Sequence, residues 1–349
     1  MPDKNAIKNY LNSAIERGIF SGCALGWVVN GEESTVAAGR YTYDDDAPAI
    51  TENTLFDCAS VTKAIPVSTL ALWMIDRKKL DAGGRFIDFV PEYRGSFRDE
   101  MRVKHLLTHT LDFDFRLSEC KGFAPEKLLD SILSVKMKSA PGEKFCYANA
   151  TSILLGILLE KAGGKPLHVL AKEIFFDPLG MNDTTFFPDD AVIPNCVPTE
   201  IDSWRGRAVQ GEVHDESAWT LQKIMTPGSA GLFSTVPDLL KFIRMLLDGR
   251  GSFFSEETIK SMYTNQIPHI KNQRTGLGWE LDQEYMGAGR TASTFGKTGF
   301  TGCSVIIDKT RNTGIALLSN YTWPARKPNR DPINEIRGRV ADFICTDTK

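Results

Sequence analysis

The chain has 349 residues, a formal net charge of −3 and 42% hydrophobic residues, enough apolar material for one large domain or two of ordinary size. The small negative net charge shows no excess of basic residues, so nucleic acid is not expected as a partner. No run of about 18 apolar residues is present, so no membrane-spanning helix is predicted.

The first fifty residues are predicted to form a helix and then a β-hairpin. Apolar residues from Ile7 to Ile15 follow helical spacing, without the apolar core of a secretory signal. We therefore expect a cytoplasmic location, or a periplasmic one if a signal was removed. Segments 22–29 and 34–39 flank Asn30-Gly31, a pair typical of a type I′ turn because both positions tolerate positive φ.

A serine and a lysine one helical turn apart, Ser60 and Lys63, begin the next segment. Apolar residues up to Ile75 recur with helical spacing, which predicts a buried helix kinked at Pro66. A serine hydroxyl needs a neighbour to take its proton, and a lysine can do so if its pKa is lowered. We also expect the N–H groups and dipole of the helix N-terminus to favour the negative charge that develops in acyl transfer.

Two other features near this segment offer competing interpretations. Ser118 and Lys121 repeat the serine–lysine spacing, but no comparable helix follows them. Cys58 lies two residues before Ser60, and we interpret it as a buried side chain rather than a nucleophile. The chain has seven cysteines and no CxxC pair, which predicts reduced thiols and no zinc site.

The rest of the chain is mainly helical in the middle and strand-forming at the end. The pattern predicts helices over 149–162 and 235–247, and Ser255 is predicted to cap another. Short strands are then predicted over 276–281, 293–297, 303–308 and 314–319, before a final helix from Asp331. These elements predict one sheet assembled from both ends of the chain, with the domains 1–59 plus 272–349 and 60–271, and the active site between them.

Two further motifs contain polar residues at element boundaries. Tyr147 and Asn149 lie at a loop-to-helix junction, where both side chains can point into one cleft. Lys297, Thr298 and Gly299 end a predicted strand, where we expect the glycine to let a substrate approach the backbone closely.

In the order Ser-x-x-Lys, Tyr-x-Asn and Lys-Thr-Gly, the three motifs resemble those of the serine β-lactamase and penicillin-binding-protein family. The resemblance is to the class C branch, with its related esterases and D-amino-acid peptidases. It is extended by three further stretches: Leu106 to Thr110, Pro141 to Phe145 and Gly228 to Thr235. It implies an α/β (α+β) fold, β-lactamase/transpeptidase-like, with a mostly antiparallel sheet flanked by helices and a large helical region.

The resemblance also implies roles for the motif residues. Ser60 would be acylated, Lys63 would accept its proton, and Tyr147 would relay protons to the leaving group and activate the deacylating water. Lys297 would supply positive potential, which disfavours a protonated Lys63 and favours a Tyr147 phenolate, lowering both pKa values. Which of these two groups is the general base stays open.

The remaining implied roles concern the substrate. Asn149 would hydrogen-bond the substrate or Lys63, and Thr298 and Gly299 would bind the substrate. The oxyanion would lie between the backbone N–H groups of Ser60 and Phe300. Phe300 stands where many family members that bind a β-lactam carboxylate have a small residue, which puts carboxylate recognition in doubt.

Three histidines have alternative interpretations. His214, a predicted substrate-binding residue, lies in segment 211–216, which resembles a stretch of some penicillin-binding-protein-like members and is expected near the cleft, against the alternative of a surface loop. His105 and His109 have the spacing of two metal ligands. Since a zinc-protease glutamate and an evident third ligand are both missing, we favour a structural role for them.

These observations predict a serine hydrolase that forms an acyl-enzyme intermediate without a metal or an organic cofactor. A small ester or amide is the expected substrate, and weak hydrolysis of β-lactams is secondary. Two alternatives remain: an exported D-Ala carboxypeptidase, D-aminopeptidase or true class C β-lactamase, and a non-catalytic binding protein with this fold. The oligomeric state is left open.

Overall fold

The structure, a computed structural model, describes residues 2–248 and 253–346. The strands in this part of the chain are β1 (Gly22–Val29), β2 (Glu32–Gly39), β3 (Phe56–Asp57), β4 (Glu200–Asp202), β5 (Arg207–Val209), β6 (Phe233–Ser234), β7 (Glu280–Leu281), β8 (Thr294–Thr298), β9 (Ser304–Asp308) and β10 (Thr313–Ser319). The α-helices are α1 (Lys4–Glu16), α2 (Thr69–Asp76), α3 (Val103–Leu107), α4 (Pro125–Leu133), α5 (Asn149–Gly163), α6 (Leu167–Ala171), α7 (Asp177–Leu179), α8 (Glu216–Leu221), α9 (Val236–Asp248), α10 (Glu256–Tyr263) and α11 (Asp331–Thr346).

The main sheet has six strands in the order β2-β1-β10-β9-β8-β7, and every neighbouring pair is antiparallel. The two ends of the chain meet in this sheet, because β1 pairs with β10 along residues 23–29 and 313–319. This arrangement confirms the prediction of one antiparallel sheet built from both ends of the chain.

Each face of the sheet buries a separate apolar layer. Alternate residues of β1, including Leu25 and Trp27, pack with α1 and α11 on one face. On the other face α9 lies close to the sheet, since a Cβ at Gly26 would lie 2.3 Å from a methyl of Val236 and one at Gly314 would lie 2.1 Å from a methyl of Ile243. Helix α9 therefore packs against the sheet, although it falls within the predicted helical domain 60–271. The domain boundaries themselves stay a prediction.

Several local predictions are confirmed. Asn30 and Gly31 have φ of 50° and 87°, as a type I′ turn requires. Helix α5 ends at Gly164 in the left-handed region, and the Ser255 side chain accepts a hydrogen bond from the Thr258 N–H at the start of α10. The predicted strand 276–281 is shorter than expected, because only Glu280 and Leu281 pair with β8.

The helix predicted from Ser60 to Ile75 has the expected break at Pro66, but it is not α-helical at Ser60. Ser60 and Lys63 lie on a short 3-10 helix, Ala59–Lys63, and Ile65 leaves helical geometry at φ −112° and ψ 109° before Pro66. The α-helix begins only at Thr69. The N-terminus of the α-helix therefore lies at Thr69 rather than at Ser60, whereas the i and i+3 side chains still share a face, as they do in a 3-10 helix.

Candidate active site

The turn that carries Ser60 is fixed by a buried carboxylate that the sequence analysis missed. Asp57 Oδ1 accepts a hydrogen bond from the Ala59 N–H at 2.7 Å, and Oδ2 accepts one from the His214 N–H at 2.6 Å. Ala59 has φ of 46°, a region that non-glycine residues rarely adopt. Because Asp57 bridges two distant segments, it holds this unusual conformation immediately before the partly exposed Ser60.

Lys63 is buried and contacts the serine directly. Its Nζ lies 2.9 Å from Ser60 Oγ and 2.6 Å from the carbonyl oxygen of Ser229. Burial lowers the pKa of Lys63, and the nearby charge of Lys297 lowers it further, against the opposing effects of Tyr147 and Asp215. The geometry and the charges together shift Lys63 towards the neutral amine, the form that can accept the Ser60 proton.

Tyr147 lies between the two lysines. The centroid of its ring is 4.4 Å from Lys297 Nζ and 5.3 Å from Lys63 Nζ. Burial raises the pKa of Tyr147, but the two ammonium groups lower it by more, so the net direction is downward. At 44% exposure Tyr147 also remains accessible to water, which weakens the opposing effect of burial. Both pKa directions agree with those expected from the sequence.

His109 packs behind this cluster, with its ring centroid 4.8 Å from that of Tyr147. Burial and the charges of Lys297 and Lys63 hold the pKa of His109 well below its usual range, so the ring is neutral. His105 lies elsewhere, where its Nδ1 accepts a hydrogen bond from the Arg102 N–H at 3.1 Å. Within residues 2–248 and 253–346, no group of three or more His, Cys, Asp or Glu residues is arranged to hold a metal ion.

A cavity of about 290 Å³ opens beside Ser60. Six of the nine residues predicted for the site line it: Ser60, Tyr147, Asn149, His214, Thr298 and Phe300. The two lysines lie behind this lining, only 2% and 3% exposed. The structure thus brings the three motifs together around one hydroxyl, while the functional roles of the nine residues stay predictions.

Asn149 has a different partner from the one considered in the sequence analysis. Its Nδ2 donates to Asp215 Oδ2 at 2.8 Å, rather than contacting Lys63. Asp215 is itself fixed, since its other oxygen accepts a hydrogen bond from the Ala218 N–H at the start of α8. One N–H of the Asn149 amide therefore donates to Asp215, and Asn149 still lines the cavity.

Phe300 and His214 form one wall of the cavity, with stacked rings 5.5 Å apart. His214 is 3% exposed, and its Nε2 lies 3.2 Å from Glu200 Oε2. On the Phe300 ring, the Arg330 guanidinium lies 4.7 Å from the centroid. The segment of His214 therefore lies at the cleft, and the space beside the Lys-Thr-Gly motif is occupied by an aromatic ring.

Gly299 allows a close backbone contact between the end of β8 and Cys58. A Cβ at this position would lie 2.4 Å from the carbonyl oxygen of Cys58, so the missing side chain lets the end of β8 pack against the turn that carries Ser60. The role of Gly299 in substrate binding stays a prediction.

The turn after β8 is held from behind by Arg337 of α11, which the sequence analysis also missed. Its Nη2 donates to the carbonyl oxygens of Gly299 at 3.0 Å and Cys303 at 2.9 Å. Burial lowers the pKa of Arg337 to about 10, which leaves the guanidinium charged at neutral pH. No local pattern could reveal this contact, because it joins positions 38 and 34 residues apart.

Replacing Arg337 with alanine is expected to lower the free energy of unfolding by about 3 kcal/mol, since two buried carbonyl groups lose a charged donor. Urea unfolding followed by circular dichroism measures this change. Arg339→Ala is the matched control, because Arg339 is exposed on the same helix. Equal stability of the two variants would show that Arg337 does not hold the turn.

Known proteins similar to this chain include members of one enzyme family and two bacterial relatives. The Beta-lactamase family model matches residues 7–337. A protein of Escherichia coli (strain K12) named "Putative D-alanyl-D-alanine carboxypeptidase" is 27% identical over 327 residues, covering 81% of this chain and 73% of that protein. One with the same name from Salmonella agona (strain SL483) is 25% identical over 319 residues, with the same coverage.

Solved structures share the fold. A β-lactamase/D-alanine carboxypeptidase from Pseudomonas syringae has a TM-score of 0.78 at 18% identity and covers 99% of each chain. EstCE1, described as a hydrolase with promiscuous acyltransferase activity, has a TM-score of 0.76 at 19% identity and covers 97% of this chain and 98% of its own. These likenesses confirm the predicted β-lactamase/transpeptidase-like fold. With a family model that matches almost the whole chain, and with the three motifs assembled around Ser60, this protein belongs to the Beta-lactamase family of serine hydrolases.

Proposed function

We propose that this enzyme hydrolyses small esters or amides through an acyl-enzyme on Ser60, in the manner of a carboxylesterase with weak activity on β-lactams. The observation that carries the proposal is the 2.9 Å contact between Lys63 Nζ and Ser60 Oγ, with Lys297 and Tyr147 beside it. In the first step the Ser60 oxygen attacks the carbonyl carbon while its proton passes to Lys63 or Tyr147. The tetrahedral intermediate then collapses, the bond from the carbonyl carbon to the leaving oxygen or nitrogen breaks, and the alcohol or amine departs with that proton, leaving the acyl group on Ser60. Water then attacks the acyl-enzyme, and the Ser60 oxygen regains a proton as the acid leaves.

The walls of the cavity support the preference for a small ester. The volume of about 290 Å³ is at the lower end of the range for small-molecule sites. Phe300 occupies the position beside the Lys-Thr-Gly motif, so a bulky substrate group placed beside that motif meets an aromatic ring. A cytoplasmic location is part of this proposal, because an enzyme there would not meet cell-wall peptidoglycan. In the described residues, no helix is long and apolar enough to cross a membrane.

A D-Ala carboxypeptidase is the second candidate. It is favoured by the names of the curated relatives, and by the exposed Arg330 guanidinium at the cavity, which could pair with a substrate carboxylate. Phe300 argues against a D-Ala carboxypeptidase, because its ring occupies the space beside Thr298 and Gly299.

Parallel assays of the wild-type enzyme separate these functions. The substrates are p-nitrophenyl acetate, nitrocefin and an acyl-D-Ala-D-Ala peptide, and kcat/KM is measured for each. Intact-mass spectrometry after treatment with a fluorophosphonate, followed by peptide mapping, compares the Ser60 peptide with the Ser118 peptide. We expect the ester to be the best substrate and the adduct to form on Ser60.

Other results would reject the proposal in distinct ways. Faster release of D-Ala than of p-nitrophenol would identify a carboxypeptidase. Nitrocefin as the best substrate would identify a β-lactamase. No turnover and no adduct would identify a non-catalytic protein with this fold.

A further inference from the structure

Glu280 is a half-buried partner of the Lys63–Tyr147–Lys297 cluster, and no motif contains it. It lies on β7 at the edge of the main sheet and lines the cavity beside Ser60 and Tyr147. Its Oε1 accepts a hydrogen bond from Lys297 Nζ at 2.6 Å, and its Oε2 accepts one from the Tyr285 hydroxyl at 2.9 Å. Both carboxylate oxygens are therefore engaged, one of them by the ammonium group that faces Tyr147.

The surrounding backbone is shaped to hold this carboxylate. Glu280 pairs with Gly296 across β7 and β8, which places it next to Lys297. A Cβ at Gly296 would lie 2.5 Å from the Val305 carbonyl oxygen and 3.0 Å from the Tyr285 hydroxyl oxygen, so the glycine leaves room both for the neighbouring strand and for the tyrosine that fixes Glu280. Tyr285 is 5% exposed and lies on the short 3-10 helix Glu284–Met286. This packing leaves the Glu280 side chain little freedom to leave Lys297.

Charged and titratable groups approach Lys297 from several elements. Tyr147 precedes α5, Lys63 lies on the 3-10 helix after β3, His109 follows α3, and Arg337 acts from α11 on Glu280 and Tyr285. Glu280 supplies the negative charge in direct contact with Lys297. Burial lowers the pKa of Lys297, but Glu280 and then Tyr147 outweigh it, so the pKa is raised.

We propose that Glu280 is a positioning residue, which keeps the Lys297 ammonium charged and fixed against the Tyr147 ring while Lys63 stays neutral. This inference rests on the proposed function, since it concerns the same acyl-transfer site. Two amines close together in a buried site compete for protons, because like charges disfavour each other. A carboxylate bound to only one of them decides which amine carries the charge. Glu280 thereby divides the roles, with Lys297 as the fixed cation and Lys63 as the amine free to accept a proton.

The pH dependence of kcat/KM for p-nitrophenyl acetate tests this inference. Glu280→Gln keeps the shape of the side chain but removes its charge, so the pKa of Lys297 falls and activity is lost at a lower alkaline pH. In this variant, we expect the alkaline limb of the kcat/KM profile, where activity falls with rising pH, to lie about one pH unit or more below that of the wild type. Glu280→Asp keeps the charge but shortens the reach, and its limb should lie between those of the wild type and the glutamine variant. Glu284→Gln is the matched control, because Glu284 is exposed four residues away.

A second readout does not depend on turnover. Glu280 raises the pKa of Tyr147, so Glu280→Gln should make the Tyr147 phenolate form at lower pH in the range where Lys297 keeps its proton. Ultraviolet titration of phenolate absorbance, with Tyr147→Phe subtracted, reports this directly. If the glutamine variant does not fold, the folded aspartate variant decides both measurements.

The inference and the proposed function fail in different ways. An inactive wild-type enzyme would reject the proposed function and with it the catalytic part of this inference. An active wild type whose folded Glu280 variants keep both the alkaline limb and the phenolate titration would overturn the inference alone. Lower thermal stability of the variants with unchanged pH profiles would likewise assign Glu280 a merely structural role.

Discussion

Replacing Ser60 with alanine is expected to lower kcat for ester hydrolysis by about 10⁵-fold or more, equivalent to about 7 kcal/mol of transition-state stabilisation. The loss is large because no acyl-enzyme can form without the hydroxyl, whereas substrate binding depends on other residues of the cavity. KM is therefore expected to change little. Stopped-flow and steady-state assays with p-nitrophenyl acetate measure both constants, and the fluorophosphonate adduct should disappear.

Ser118→Ala is the matched control for this prediction. Ser118 has a lysine three residues later, as Ser60 does, but it is exposed and the 3-10 helix Leu117–Cys120 that carries it is not continued by an α-helix. We expect full activity and normal labelling in this variant. A Ser60→Ala enzyme that keeps wild-type turnover would show that the nucleophile lies elsewhere.

The comparison of these two serines shows how far the sequence could predict the site. Spacing alone did not separate them, but the order of the three motifs and the apolar segment after Lys63 favoured Ser60. Short-range features were also predictable, because the Asn30-Gly31 turn and the Gly164 cap depend on backbone preferences of one or two residues.

What the sequence could not predict depends on contacts between distant segments. Asp57 reaches the backbone of His214, and Asp215 binds Asn149, across 157 and 66 residues respectively. Neither carboxylate stands in a recognisable pattern, since a single Asp has many possible roles on a surface or in a cap. Glu280 and Arg337 were missed for the same reason. The site therefore consists of motif residues at its centre and of partners that only the fold brings to them.

The later start of the α-helix, at Thr69 rather than at Ser60, has a local cause. The apolar spacing between Ser60 and Ile75 is consistent with a helix, but it records only which side chains are buried. Pro66 has no N–H to continue the hydrogen-bond ladder, and Ile65 turns out of helical geometry before it. The predicted proximity of Ser60 and Lys63 does not depend on the helix type, because the 3-10 helix and the α-helix both bring residues i and i+3 together.

Replacing Lys63 with methionine is expected to lower kcat by about 10²- to 10⁴-fold, the contribution typical of a general base. Methionine has a similar length and suits a buried site, so the change removes the amine with little loss of packing. Steady-state kinetics with p-nitrophenyl acetate measure the effect. Lys104→Met is the matched control, because Lys104 is exposed on α3 and its loss should leave kcat unchanged.

The pH profile of this variant decides whether Lys63 is the base. The pKa of Lys63 is lowered, so in the wild type the amine loses its proton at a lower pH than an ordinary lysine, and activity should rise with pH through that value. Lys63→Met removes this titration, and the rise should vanish together with most of the activity. If the variant keeps the rise, Tyr147 is the group that titrates, since its pKa is lowered too. In that case the phenolate accepts the Ser60 proton, and Lys63 acts beside Lys297 as a second positive charge that stabilises it.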